Sequence, residues 1–125
     1  MGHEMRMGQD GILRVKFFGF LDGEEAQAYI REYDGYVRHA TLDNPLHALA
    51  DAQEMSKMSS SARKIFIESF STPDERVGRT AIIGASRYLR VLASFILKAV
   101  GRDNIRLFAT EEEAVPWLVQ KSQGT

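Results

Sequence analysis

AIIGASRYLRVLASFILKAVG, residues 81–101, is the stretch that decides the fold. Ala81-Ile82-Ile83-Gly84 is a short apolar run closed by a turn residue, the pattern of an interior parallel strand. Ser86 then offers an N-cap oxygen and Gly101 a left-handed C-cap, so residues 86–100 read as a helix. A strand feeding directly into a helix is half of a parallel β-α-β unit. The helix is apolar over too much of its circumference. Arg87, Arg90, Ser94 and Lys98 fall on one narrow stripe, and nearly everything else is greasy. The apolar arc covers roughly 240°, where a surface helix needs little more than about 100°. One core cannot cover both sides, so the excess calls for a subunit, a lipophilic ligand or a membrane surface.

Upstream, Asp10-Gly11 is a hairpin turn signal between a polar-apolar segment, residues 3–7, and the aromatic-rich residues 12–21. Two antiparallel strands follow from it, the first with the polar character of an edge. Asp22 with Glu25 is a capping-box pattern opening a helix whose apolar stripe is Ala26, Tyr29, Ile30, Tyr33 and Val37. After Asn44-Pro45, residues 46–50 predict a short buried strand ending at Asp51. A tract over residues 52–61 leads to a helix with Ala62, Ile65, Phe66 and Phe70 on one face, closed at Thr72-Pro73. Downstream of Gly101, residues 105–109 predict the last strand. Thr110 and Glu113 cap a final helix with Ala114, Trp117 and Leu118 inward and Pro116 expected to distort it. The order is β-β-α-β-α-β-α-β-α: an α/β domain with a mostly parallel sheet, an antiparallel N-terminal hairpin at its edge and flanking helices. Residues 122–125 read as a loose tail.

The 125 residues suit a single domain, 1–125, with one real core. A net charge of −1 gives no general affinity for nucleic acid. The absence of cysteine excludes disulfides, thiol catalysis and cysteine-ligated zinc, and fits a reducing compartment. Residues 1–8 lack a secretory signal pattern, and residues 86–100 are too short and too often interrupted by cations to span a bilayer. A cytoplasmic protein, able to sit peripherally on a membrane, is the expectation.

The element order and several local sequences resemble the STAS-like family in its SpoIIAA-like (STAS/SEC14) branch. The carriers are the hairpin with Gly19 near the end of its second strand, Asp51, and Ala81-Ile82-Ile83-Gly84 before a helix. The closing Thr110-Glu111-Glu112-Glu113-Ala114 and Trp117-Leu118 complete them. The resemblance covers about residues 3–121 and bears on fold more than activity. It implies helices on one or both faces of the sheet, no catalytic cofactor, and roles in protein regulation or in lipophilic-ligand and membrane association. A loosely docked helix near the sheet's open edge would then be a moving part. Anti-sigma factor antagonists of the wider family carry a phosphorylatable serine in Asp-Ser-Ser-Gly-Leu-Gly. Here Ser59 takes the Asp position, Ser60 and Ser61 the serines, and Ala62 and Lys64 the glycines, so only the serines match.

Three groups of candidate residues follow. Tyr88, Leu92, Phe95, Ile96 and Val100 would form the apolar contact surface of helix 86–100. Arg87, Arg90 and Lys98 would meet anionic headgroups. The plainer alternative is burial against a homodimer partner. Ser59, Ser60 and Ser61 form a candidate phosphorylation or protein-partner site at a helix N-terminus, with N-capping as the simpler role. Asp22, Asp51 and Ser86 are expected on the rim at the C-terminal ends of the strands, where α/β sheets bind ligands. His3, His39 and His47 match no metal-ligand spacing, and no nucleophile elbow or phosphate loop occurs. The expectation is a non-catalytic binding module without metal or cofactor, a serine-switched regulatory domain or structural homodimer being the alternatives.

Overall fold

A computed structural model describes residues 2–72 and 74–120; Pro73 and the tail 122–125 lie outside the described residues. The elements are β1 (His3–Met7), β2 (Ile12–Leu21), α1 (Gly23–Val37), β3 (Leu46–Met58), α2 (Ser60–Ser71), β4 (Val77–Ile83), α3 (Arg87–Val100), β5 (Ile105–Phe108) and α4 (Glu111–Val119). They form a five-stranded sheet in the order β1-β2-β3-β4-β5, antiparallel between β1 and β2 and parallel elsewhere. The expected α/β architecture is therefore present, hairpin included. Gly11 takes φ 82° in the turn, and the Asp10 carboxylate accepts from Ile12 N at 3.1 Å.

Each parallel crossover advances one strand in the same direction, and crossovers share one hand, so their helices fall on one face. The main core accordingly joins α1, α2 and α3 to Leu13, Val15, Phe17, Ala48 and Ala50 of the sheet. An aromatic ladder binds α1 to α2: Tyr29 meets Phe66 edge-on at 5.5 Å, and Tyr33 meets Phe70 edge-on at 5.8 Å. Helix α4 follows the last strand and turns to the other face. There Ala114 and Leu118 join Ile12, Leu49, Ala81 and Ile83 in a second core.

Strand β3 does not stop at Asp51; it runs on to Met58, beyond the end of β4, paired there with β2. Between Lys16 and Phe18, and again between Gly19 and Phe20, β3 carries one residue more than β2. Each such bulge shifts the side-chain alternation by one. The inward residues therefore fall at Ala52, Met55 and Met58, three apart, and a period-two pattern is absent. Helix α4 remains continuous through Pro116. Trp117, expected inward, is half-buried, its ring between the Arg79 and Arg106 guanidinium groups at 5.2 Å each.

Candidate functional site: an apolar cavity under α3

Helix α3 has the caps its sequence announces. Ser86 Oγ accepts from Leu89 N at 3.2 Å, and Gly101, at φ 73°, donates to Leu97 O at 3.0 Å. Gly84, at φ 71°, stands just before it, so left-handed glycines flank the helix at both ends. Beneath α3 lies a cavity of about 120 Å³. Small side chains create it: Ala50 and Ala52 on the floor and Ala93 on the helix leave space that Leu89, Leu92 and Ile96 do not fill. Phe66 and Phe70 of α2 form its side wall. A dry apolar cavity of about 150 Å³ is known to admit benzene, so a void of this size has room for an apolar fragment.

The wide apolar arc divides in two. Leu92, Ile96 and Val100 face the cavity as expected. Tyr88, Val91 and Phe95 do not: they are 51%, 69% and 61% exposed, a strip on the solvent side of the helix. Grouping Tyr88 and Phe95 with the cavity residues is therefore corrected. At about 100° per residue the inner and outer sides join along one flank of a helix. Arg87, Arg90, Ser94 and Lys98 occupy the other flank, all exposed.

Of the residues lining the cavity only Tyr29 and Thr80 carry hydroxyls. Burial holds the Tyr29 phenol well above the usual tyrosine range. The Tyr33 hydroxyl, buried and facing Thr80, belongs to a neighbouring pocket lined also by Asp34, Phe70, Asp74 and Arg102. Burial pushes its pKa up to about 12, against the opposing effects of a hydrogen bond with Thr80 and of the Arg102 guanidinium. Arg102 Nη1 lies 3.4 Å from both Phe70 O and Thr72 O, at the end of α2.

At the rim, the helices α1, α2, α3 and α4 are N-capped by Asp22, Ser59, Ser86 and Thr110, each directly after a strand or one short turn beyond it. Asp22 and Ser86 are thus on the rim, with their carboxylate and hydroxyl engaged by Glu25 N and Leu89 N. Asp51 is not on the rim. It sits mid-strand between Lys16 and Ile83, its carboxylate accepting from Gln53 N at 2.9 Å. The expectation failed because β3 continues through its bulges. Ser59 Oγ accepts from Ala62 N at 3.0 Å; Ser60 and Ser61 follow, exposed, in the first turn of α2. Gly23 packs closely beside them: a Cβ there would lie 3.1 Å from Ser61 Cβ, so Ser61 would have to give by a few tenths of an ångström.

Two histidines have structural duties that spacing did not announce. His3 bridges β1 to α1, its ring nitrogens 2.5 Å from Glu25 Oε2 and 2.9 Å from Glu32 Oε1. His47 Nδ1 accepts from Arg79 N at 2.9 Å. Among the described residues no three His, Asp or Glu side chains are grouped to hold a metal, and no helix is long and apolar enough to cross a membrane.

Comparison with known proteins agrees with this architecture. A DUF3478-family protein with a SpoIIAA-like fold, from Shewanella loihica PV-4, superposes with a TM-score of 0.68 at 21% identity. The match covers 94% of this chain and 93% of that one. The Bacillus cell fate determinant SpoIIAA in its phosphorylated form gives 0.63 at 18% identity, over 93% and 98% of the two chains. An anti-sigma factor antagonist from Mycobacterium paratuberculosis gives 0.64 at 15%, over 95% and 96%. No curated protein matches the chain in sequence. The SpoIIAA-like family model matches residues 12–119, and with the hairpin-edged sheet and its four capped helices in place, the chain belongs to the SpoIIAA-like family.

Proposed function

We propose that this domain is a non-catalytic binding module in which α3 closes over the apolar part of a lipophilic ligand. The cavity carries the proposal: about 120 Å³, walled by apolar side chains, under a helix flanked by two left-handed glycines. Its volume suits an apolar fragment, and a longer ligand would require α3 to lift. The exposed strip of Tyr88, Val91 and Phe95, beside Arg87, Arg90 and Lys98, gives the lid an outer surface suited to an anionic membrane at the cytoplasmic face. Mass spectrometry of organic extracts of the purified protein tests the ligand. Wild type should release a lipophilic compound that an Ala93→Phe variant, its cavity plugged, does not carry. Identical extracts would count against the cavity as a binding site. Co-sedimentation with phosphatidylglycerol vesicles tests the outer strip. Binding should be lost in Phe95→Asp, whereas concentration-dependent self-association without vesicle binding would point to a homodimer through that strip.

A regulatory protein-interaction role is the second proposal, favoured by the exposed Ser60 and Ser61 in the first turn of α2. A phosphate there would be met by free backbone N–H groups and the helix dipole. The fold shared with anti-sigma factor antagonists, one of them phosphorylated, supports it. A pull-down with Ser60→Asp as bait should change the set of retained proteins; an unchanged set would remove this role.

A further inference from the structure

We infer that the ligand of the α3 cavity is a single-chain amphiphile with an anionic head, its chain under the helix and its head held outside by Arg90, Ser94 and Lys98. This rests on the cavity being a binding site and names the class of molecule it takes. The cavity wall sets the chemistry of the chain. No charged side chain lines it, and almost every lining residue is apolar. By comparison with benzene in about 150 Å³, a void of about 120 Å³ has room for about five carbon atoms. The remainder of a longer ligand must emerge beside the helix.

The handedness of the fold fixes the side. With right-handed crossovers the helices of one face follow the order of their strands, so α3 has α2 on one side and no helix on the other. Helix α3 runs antiparallel to its strands. At about 100° per residue its Leu92 flank then turns to α2 and its Leu97 flank to β5. The lining agrees: Phe66 and Phe70 of α2 stand at one side of the cavity, Leu97 and Ile105 of β5 at the other. Above Leu97 the helix carries Arg90, Ser94 and Lys98, four residues apart and so one turn from each other. Both long cationic side chains can bend to an anion accepting from the Ser94 hydroxyl. The surroundings hold no competing charge: α3 and β5 contain no acidic residue. Among the described residues neither Arg90 nor Lys98 meets a carboxylate within ion-pair distance. A carboxylate or a phosphate fits this flank; an ammonium head does not.

Octanoate, octyl phosphate, octanol and octylammonium serve as probes, one chain under four heads. Binding to the full chain is followed at pH 7 and low salt by calorimetry and by chemical shifts of Ile82, Ile96 and Leu97 methyl groups. An exposed ion pair contributes up to about fivefold in affinity. Both anions should therefore bind about fivefold tighter than octanol and octylammonium more weakly than octanol, the differences shrinking as salt is added. The stronger of the two anions identifies the head as carboxylate or phosphate. Arg90→Gln combined with Lys98→Gln should bring the anions down to octanol and leave octanol unchanged. Arg6→Gln combined with Arg106→Gln removes the same charge from the α4 face and should leave the order of probes intact. Octanol binding also reports that each variant is folded. A wild type that binds octanol as tightly as the anions overturns the anionic head and leaves the apolar cavity standing. So does an anion preference that survives Arg90→Gln with Lys98→Gln. If none of the four binds, the cavity is not a ligand site and both proposals fall.

Discussion

Helices α3 and α4 follow neighbouring parallel strands, are both capped by a hydroxyl and lie on opposite faces of one sheet, yet they are seated differently. On the α4 side, Ala114 meets a floor containing Ala81, and both are completely buried with Leu118. On the α3 side, alanines also face one another, but α3 leans sideways on α2, and Phe66 and Phe70 fill the wall instead of the floor. Small residues bring two layers together only when nothing bulky beside them sets the spacing. The α4 seat is close-packed structure; the α3 seat is a void with a lid.

Deleting large side chains should separate the two seats most. Leu118→Ala removes a completely buried side chain from a tight site and should cost about 3 kcal/mol in chemical denaturation. Leu92→Ala, half-buried at an existing void, should cost about 1 kcal/mol. Equal losses would mean that the two faces are packed alike.

Adding volume should then reverse the sign. Ala114→Leu overpacks the α4 seat and should destabilise by about 1–3 kcal/mol. Ala93→Leu grows into the cavity and should stabilise by about 1 kcal/mol, seen as a raised Tm. Destabilisation by Ala93→Leu would show that the void cannot take a side chain. On the outer strip, Val91→Lys touches no core and should stay within about 0.5 kcal/mol of wild type.

How far each seat was legible in the sequence follows from the same physics. Caps are local, a hydroxyl or carboxylate reaching a backbone N–H three residues on. Asp22, Ser86 and Thr110 could therefore be found by spacing alone, and Ser59 as one of three adjacent serines. Alternation is local too, until a bulge resets it, which is why residues 52–58 concealed a strand and Asp51 was placed at its end. The direction of Tyr88 and Phe95 could not be read. An arc that is apolar nearly all round carries no information about which part meets the sheet. A cavity is less legible still, being made by what is missing at Ala50, Ala52 and Ala93, on two separate elements.

The smallest expected difference between the seats is one of pH. His47 Nδ1 accepts the Arg79 N–H, and Arg79 in turn donates to Trp117 O at 2.6 Å, so the imidazole supports the C-terminal end of α4. Burial, with the Arg79 charge adding to it, holds the His47 pKa below its ordinary 6.5. Protonation would put a hydrogen on the accepting nitrogen. Below pH 6.5 the unfolded chain therefore binds the proton that the folded chain refuses, and stability falls with pH until the folded-state pKa is passed. Asp10 and Asp74, held below 3.8 by Arg14 and Arg76, lose their contributions only in a lower window. Hydrogen exchange between pH 7 and 5, corrected for intrinsic rates, should thus show the Arg79 amide and the last turn of α4 losing protection while α3 keeps its own. His47→Gln, which still offers an accepting oxygen but does not titrate, should flatten the response. A response shared equally by α3, or one that survives His47→Gln, would mean that acid loosens the whole sheet and not the seat of α4.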